Sequence, residues 1–357
     1  MQSIQYCQLP LNQIVEGDCK NVMKTFPDES IDLVMFSPPY FGLRDYGVEA
    51  ESVWGEHVAC DHEWTNAKPV RARGYDGKHA KGIIWPTLHG KICSKCGAWK
   101  GQLGLEYDWR MYVNHLLEVC EEIKRVLKKE GSMYIVIGDV YNGRSRFKDY
   151  PVKSLMGIPW RLAFALIEKL NFILRNDIIW VKPNALPSSV KDRLSNKYEH
   201  IFHFVKSKKY YYNLDAIREP HSSVRDLGRR RTEQTHSKYY GVRPSGYLVQ
   251  HPLGKNPGDL WRIPTRPFNG PHLAPYPPEI CVRPILSSCP PNGIVLDPFA
   301  GSGTTCMVAK ALGRKWIGIE ISSKYAEIAR ARVNAAPNPI VAIENVSEAW
   351  KAVDSIR

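Results

Sequence analysis

The residues best suited to chemistry form a short turn, Ser37-Pro38-Pro39-Tyr40, which follows an apolar run. Proline has no backbone N–H, so this turn offers carbonyl oxygens without competing donors, and the Ser37 hydroxyl adds another acceptor. Such acceptors suit an exocyclic amine, whose nitrogen becomes pyramidal and gains positive charge as it attacks. Tyr40 offers a flat face on which an extruded base can stack. By itself the turn is equally compatible with a rigid loop and a packed tyrosine.

A second turn, Asp297-Pro298-Phe299-Ala300-Gly301-Ser302-Gly303-Thr304, joins an apolar run to a helical segment. Its glycines let the backbone approach a ligand, and the helix N-terminus favours an anion. A dinucleotide fingerprint needs a third glycine where Cys306 stands, so NAD fits poorly. Glu320 ends the next predicted strand, where an acid can accept hydrogen bonds from both ribose hydroxyls. The series predicts a nucleoside cofactor rather than glycines that serve tight packing and a surface acid. The cofactor-binding candidates here are Asp297, Phe299, Gly301, Ser302, Gly303, Thr304 and Glu320.

Two short clusters carry side chains that bind metals. Cys60-Asp61-His62 and Cys93-Ser94-Lys95-Cys96 supply three sulfurs and one imidazole, a set suited to tetrahedral zinc. We predict a structural zinc ion held by Cys60, His62, Cys93 and Cys96, since four protein ligands leave no open position. Free buried thiols or a redox pair are the alternatives. Other histidines that could replace His62 are His57, His79 and His89.

Composition limits the classes of function. The chain has 357 residues with 43% hydrophobic residues, enough for one large α/β domain with insertions. A formal charge of +13 favours a polyanionic partner, although charge alone does not make a nucleic-acid enzyme. No apolar run approaches the roughly 20 residues that cross a bilayer, and the opening residues show no secretory signal. We therefore expect no membrane association and an intracellular location, where the nine cysteines are not a disulfide framework.

The elements that position these residues alternate between strand and helix. Residues 31–36 form a β-prone run that the proline turn stops. Helical spacing covers residues 111–129 and should end at Gly131. A strand over 133–137, a helix over 158–170 and a strand over 172–181 follow. After a break, the same alternation predicts a helix over 278–287, strand 294–296, helix 304–312 and strand 316–320. The fold class is therefore α/β, with both stretches in one sheet.

Two regions interrupt the alternation. Residues 55–105 are rich in His, Cys, Trp, Gly and Lys with little periodicity, so we interpret them as an insertion. Between residues 186 and 275, basic residues interleave with tyrosines, a mixture that grips phosphates and stacks on bases, although charge runs are usually solvated faces. The arginines selected as DNA-binding candidates are Arg71, Arg73, Arg229, Arg230 and Arg231.

The two turns together resemble motifs of the DNA amino-methyltransferases. In that family the acceptor motif is Asp, Asn or Ser followed by Pro-Pro and an aromatic residue, and the cofactor motif contains Phe-x-Gly-x-Gly. Both occur here, with the acceptor motif first, as in the circularly permuted β class. Gly17-Asp18 resembles the acidic position that contacts the cofactor adenine, and the segments containing Asn256 and His272 resemble those leading into the cofactor helix. Cys96-Gly97-Ala98-Trp99 resembles a sequence in phage-like relatives.

This resemblance implies a Rossmann-like, doubly wound methyltransferase fold that binds S-adenosylmethionine at sites including Asp18 and His272. It implies double-stranded DNA as substrate and a cytoplasmic enzyme that a prokaryote or a phage encodes. A cognate restriction endonuclease as partner and a homodimer are both left open. The predicted division is catalytic α/β parts at 1–54 and 106–185, a zinc-binding insertion at 55–105, a target-recognition region at 186–263, and a cofactor-binding part at 264–357.

The resemblance also bears on the target base. Ser in the first motif position is commoner in N4-cytosine members, so we favour N4 of cytosine over N6 of adenine. Cytosine-5 enzymes need a nucleophilic cysteine after proline, and this chain has no Pro-Cys sequence. RNA or protein-glutamine methylation is an alternative with the same chemistry, and an inactive zinc-bearing DNA-binding regulator is an alternative from another class. The basic residues between residues 186 and 275 argue against a protein substrate. An inactive protein is argued against by the intact motif residues Ser37, Tyr40, Gly301, Gly303 and Glu320.

Overall fold

The structure, a computed structural model, describes residues 8–55, 60–66, 90–143, 147, 149–221, 251–266, 275–339 and 341–355. Within these residues no helix combines the length and the apolar character needed to span a membrane.

An eight-stranded mixed sheet organises the fold, in the order β1-β12-β11-β2-β7-β9-β8-β10. Only β9 runs antiparallel to its neighbours in this sheet. The predicted Rossmann-like α/β fold is thereby confirmed. The bounds of these strands are β1 Gln13–Glu16, β2 Ile31–Phe36, β7 Leu127–Ile137, β8 Ile173–Val181, β9 Tyr198–Val205, β10 Leu260–Arg262, β11 Ile294–Asp297 and β12 Lys315–Glu320.

Helices cover both faces of this sheet, because its central strands are apolar on both sides. Alternate residues of β2 show this: Val34 and Phe36 belong to one buried cluster, and Leu33 and Met35 belong to the other. The first cluster includes residues of α1 Cys19–Lys24, α2 Trp109–Val126 and α3 Ile158–Leu170. The second includes residues of α4 Glu279–Ser288, α5 Thr304–Ala311, α6 Ser323–Ala335 and α7 Val346–Asp354.

A smaller antiparallel sheet takes three of its strands from the stretch predicted as an insertion, residues 55–105, and its first strand from the residues just before it. Its four strands are ordered β3-β6-β5-β4. They are β3 Glu51–Trp54, β4 Trp64–Asn66, β5 Lys91–Cys93 and β6 Trp99–Gln102. Strands of three or four residues are too short to show a period, so they could not be predicted from the pattern of apolar residues.

Two predictions about elements were wrong. The helix predicted to reach Gly131 ends at Val126, because the buried Leu127 is extended and pairs with Ile31 of β2. Gly131 instead lies inside β7, where a Cβ would meet the Leu127 side chain at 2.6 Å. The α/β alternation also does not stop at residue 186, since β9 and β10 complete the large sheet. The interval 186–263 thus contains two strands of that sheet.

Candidate active site and metal-binding cluster

The two predicted turns line one cavity of about 300 Å³. Strands β2 and β11 are parallel neighbours, so the turns that follow them leave the same edge of the sheet. Ligands in open α/β sheets bind at this edge, beyond the carboxyl ends of the strands. We call residues 37–40 the acceptor turn and residues 297–304 the cofactor turn.

The acceptor turn is fixed by hydrogen bonds to two of its residues. Tyr112 Oη donates to the Pro39 carbonyl oxygen at 2.8 Å. Tyr40 Oη donates to Glu199 Oε2 at 2.7 Å. Burial, reinforced by the charge of Glu199 and opposed by a hydrogen bond with Ser37, raises the pKa of Tyr40 well above its usual value. The Tyr40 hydroxyl therefore stays protonated and available as a donor.

Glu199 and Lys182 are cavity residues that the sequence analysis did not select. Glu199 lies on β9, and its second carboxylate oxygen accepts a hydrogen bond from Lys182 Nζ. The two side chains are only 16% and 20% exposed, so this ion pair is shielded from solvent. A Cβ on Gly138 would lie 2.9 Å from the Tyr40 ring and 3.4 Å from Glu199 Cγ. The glycine at position 138 therefore makes room for both groups.

Glu320 faces the cofactor turn from the end of β12 with both oxygens held. Gly301 N–H donates to Oε2 at 2.8 Å, and Ser322 N–H donates to Oε1 at 2.9 Å. Each oxygen keeps a second lone pair for a ligand hydroxyl. Burial raises the pKa of Glu320, and these backbone donors oppose the rise. The carboxylate is thus placed and oriented as a nucleoside-binding acid requires.

Glycine is required in the cofactor turn at Gly303. Its φ is +77°, and a Cβ there would lie 3.0 Å from the Ala329 side chain on α6. A side chain would therefore be strained and would push α6 away from the turn. Ser302 and Thr304 contribute buried hydroxyls that both accept hydrogen bonds from Arg332, at 2.6 and 3.3 Å. Arg332, which was not predicted, thus ties this turn to the same helix.

Asp297 is buried at the start of the cofactor turn. Its Oδ1 accepts the Phe299 N–H at 3.0 Å, and its Oδ2 accepts the Thr305 hydroxyl at 2.6 Å. Burial raises the pKa of Asp297 to about 7 despite these donors. Both oxygens of Asp297 therefore hold the turn and the start of α5 in place. The hydroxyl of Tyr276, a residue that the sequence analysis did not select, hydrogen bonds to the same Thr305.

Asp18 closes the other side of the cavity, at the N-terminus of α1. It caps that helix by accepting the Asn21 N–H at 3.0 Å. Its second oxygen accepts the hydroxyl of Ser52, which lies on β3. The small sheet therefore contributes directly to the cavity wall.

The four predicted metal ligands lie together. Donor atoms of Cys60, His62, Cys93 and Cys96 all fall within 4.8 Å of one another. The sulfurs of Cys60 and Cys93 are 3.8 Å apart, and Cys96 Sγ lies 3.4 Å from His62 Nδ1. This arrangement can hold one ion among four protein ligands.

Several predicted residues lie outside the described part of the chain. Among them are the cofactor candidate His272 and the alternative ligands His57, His79 and His89. The same is true of all five DNA-binding candidates: Arg71, Arg73, Arg229, Arg230 and Arg231.

The two turns share one cavity on a Rossmann-like sheet, which is the arrangement that the sequence analysis predicted for an amino-methyltransferase. A sequence profile described as DNA methylase matches residues 31–331. The chain therefore belongs to the N6/N4 DNA methylase family, as a β-class amino-methyltransferase of the restriction–modification type.

Relatives agree with this assignment, and a solved structure shares the fold. The Type II methyltransferase M.Cfr9I of Citrobacter freundii is 32% identical over 351 residues, covering 92% of this chain and 90% of the relative. M.SmaI of Serratia marcescens, also a Type II methyltransferase, is 32% identical over 342 residues, covering 90% of each chain. The fold is similar to that of PvuII DNA methyltransferase (cytosine-N4-specific), with a TM-score of 0.55 at 20% identity, covering 97% of this chain and 94% of that one.

Proposed function

We propose that the protein transfers a methyl group from S-adenosylmethionine to the exocyclic amine of a base flipped out of DNA, N4 of cytosine being the preferred target. The observation that carries this proposal is the shared cavity, in which the acceptor turn faces the cofactor turn. A methyl donor bound on one wall and an amine held on the other would meet without further movement of the sheet.

The cofactor wall suits a nucleoside that carries two ribose hydroxyls. Glu320 would accept both of them, because Gly301 and Ser322 orient its carboxylate and leave one lone pair on each oxygen. Asp18 would contact the adenine end of the ligand. S-adenosylmethionine supplies a methyl group bonded to a positively charged sulfur, which an amine nitrogen can attack in line.

The acceptor turn would hold and activate the amine. The Ser37 hydroxyl and the Pro38 carbonyl oxygen accept its hydrogens, which favours the pyramidal nitrogen and stabilises the charge that develops on it. As the new N–C bond formed, the methyl–sulfur bond would break with its electron pair left on sulfur as a neutral thioether, and the methylated amine would release one proton to water. Tyr40 would stack on the base, and the Glu199 hydrogen bond would fix the angle of its ring.

Cytosine is preferred because Ser37 occupies the first position of the acceptor motif, as is common among N4-cytosine members of the family. N6 of adenine is the second candidate, since both amines need the same acceptors. Ring attack to form 5-methylcytosine would need a cysteine nucleophile, and Pro38 is followed by Pro39 and Tyr40 instead.

We further propose that the cysteine–histidine cluster holds a structural zinc ion. Tetrahedral zinc with Zn–S bonds of about 2.3 Å places two sulfurs about 3.8 Å apart. The Cys60–Cys93 separation of 3.8 Å matches that value. Four protein ligands would leave no position for substrate, so the ion would stabilise the small sheet. Metal analysis should give one zinc per chain, and Cys93→Ser should lower that content; protein without stoichiometric metal would refute the site.

DNA binding would draw on the net charge of +13, with target recognition assigned to the interval 186–263. Double-stranded DNA is the proposed substrate, and a cognate restriction endonuclease is the partner such enzymes accompany. The test of the whole proposal is transfer of labelled methyl groups from S-adenosylmethionine to duplex DNA. Transfer by the wild-type protein and a lower rate of transfer in Ser37→Ala would support it. Cofactor binding with no transfer to DNA would count against it.

A further inference from the structure

A buried pair, Glu106 and His115, lies between the small sheet and the acceptor turn. Glu106 precedes α2 and has no exposed surface, and His115 lies on α2 with 5% exposed. His115 Nδ1 donates to Glu106 Oε1 at 2.9 Å, and the Gly104 N–H donates to Glu106 Oε2 at 2.8 Å. Neither side chain lines the cavity, so the pair is not part of the site described above.

The small sheet supplies two tryptophans that stack on the His115 ring. Trp54 stacks on it at 5.2 Å between ring centroids and Trp99 at 5.4 Å, with interplanar angles of 26° and 11°. Trp99 is buried and begins β6, three residues after Cys96. A Cβ on Gly101 would lie 2.3 Å from the Trp99 ring, so the ring packs directly on the backbone at a position that only glycine leaves open. The orientation of His115 is therefore set by the small sheet.

On its other side the pair reaches the acceptor turn through Gly104. The Gly104 carbonyl oxygen accepts the N–H of Gly42, two residues after the turn, at 2.6 Å. A Cβ on Gly104 would lie 3.0 Å from the Tyr40 carbonyl oxygen and 3.3 Å from that of Pro39. The backbone at Gly104 thus packs directly against the turn. Because Glu106 holds the Gly104 N–H, it sets how closely that backbone approaches.

We propose that Glu106 and His115 are positioning residues for the acceptor turn, through which the small sheet keeps Ser37 and Tyr40 aligned with the cofactor. This inference rests on the proposed function. Burying an ionisable pair is costly, and a protein with apolar residues of similar volume in its place is often as stable. We therefore assign Glu106 and His115 a role in orienting Gly104 rather than in stabilising the fold. Groups that hold reacting atoms must be placed within about 0.5 Å, so releasing Gly104 should be felt at the turn.

Three substitutions separate orientation from packing. His115→Phe keeps an aromatic ring that can stack on Trp54 and Trp99, and it removes the donor to Glu106. Glu106→Leu removes both acceptors. In Glu106→Gln the amide oxygen can still accept the Gly104 N–H, and the amide N–H₂ can donate to His115 Nδ1 once the imidazole takes its other neutral tautomer. We expect kcat to fall at least about tenfold in His115→Phe and Glu106→Leu with the Kd for S-adenosylmethionine unchanged, and to be largely restored in Glu106→Gln. The matched control is His203→Phe, another buried, ring-stacked histidine, which should keep its kcat.

A second readout does not depend on activity. In protein labelled with 3-fluorotyrosine, the ¹⁹F signal of Tyr40 is identified by its loss in Tyr40→Phe. It should move in His115→Phe and stay in place in His203→Phe. If both the Tyr40 signal and kcat are unchanged in folded His115→Phe, the inference is wrong, even where Glu106→Leu does not fold. A wild-type protein that methylates no DNA would refute the proposed function, and the fluorine signal would still decide this inference.

Discussion

Replacing Glu320 with alanine should weaken S-adenosylmethionine binding by about two to four orders of magnitude. Hydrogen bonds to a charged group contribute about 1.5–3 kcal/mol each, and two ribose hydroxyls would donate to this carboxylate. Its geometry is fixed in advance by Gly301 and Ser322, so little is lost in ordering it. Glu320→Gln should be intermediate, because its amide N–H₂ would face one of those backbone donors and leave one ribose acceptor.

Isothermal titration calorimetry with S-adenosylmethionine and its demethylated product measures this directly. The control is Asp32→Ala, since Asp32 is as buried as Glu320, at 9% exposed, and also accepts a backbone N–H, from Ile294. Asp32 lies near the start of β2, at the end away from the cavity. Its replacement should lower the stability of the fold without changing the affinity for S-adenosylmethionine. Binding by the wild-type protein should also weaken as the pH falls toward the raised pKa of Glu320, because the protonated acid loses acceptor capacity. An unchanged Kd in folded Glu320→Ala would refute the assigned role.

Further predictions concern the rest of the cavity and the metal cluster. Tyr40→Ala should lower turnover by removing a stacking surface that contributes about 1–3 kcal/mol per base, with cofactor affinity retained in calorimetry. Ser37→Ala should lower kcat with little change in KM for DNA, since its acceptor matters mainly in the transition state. Glu199→Ala should have a smaller effect than Tyr40→Ala in the same assay, because the ring remains and only its hydrogen bond is lost. Asp297 has a pKa raised from 3.8 to about 7, so it favours the folded state below pH about 4 and loses that contribution, roughly 4 kcal/mol, as the pH rises through 7. Urea titrations of Asp297→Asn should therefore show a flatter decline in stability between these pH values than the wild type, and equal slopes would contradict the burial argument. Chelation of zinc should lower the melting temperature of the wild type more than that of Cys93→Ser.

The main features of the cavity could be predicted from the sequence because they depend on local rules. The proline turn after residues 31–36 and the glycine turn after residues 294–296 each end an apolar run, and parallel strands bring such ends to one edge of a sheet. The acid at Glu320 follows from the same rule. The cysteine spacing likewise placed four ligands that the fold does bring together.

Residues contributed by β9 could not be predicted in the same way. This strand is buried on both faces and contains histidines, so it shows neither alternation nor a simple apolar run. His203, for example, is buried because it stacks on Tyr134 at 4.3 Å, a contact between distant parts of the chain. Without that strand, Glu199 had no reason to be placed beside Tyr40. The Glu106–His115 pair was missed for the same reason, since tertiary stacking by two tryptophans creates it.

The most direct test of the central claim is the chemical identity of the methylated base. DNA from cells that express the protein is digested to nucleosides, and these are identified by chromatography and mass spectrometry against standards, with cells expressing Ser37→Ala as the control. We predict N4-methylcytosine at a level that is lower in the control. N6-methyladenine would contradict the choice of base while retaining the amine chemistry of the acceptor turn. Recovery of 5-methylcytosine would contradict the account itself, because the turn that begins at Ser37 contains no cysteine to attack the ring.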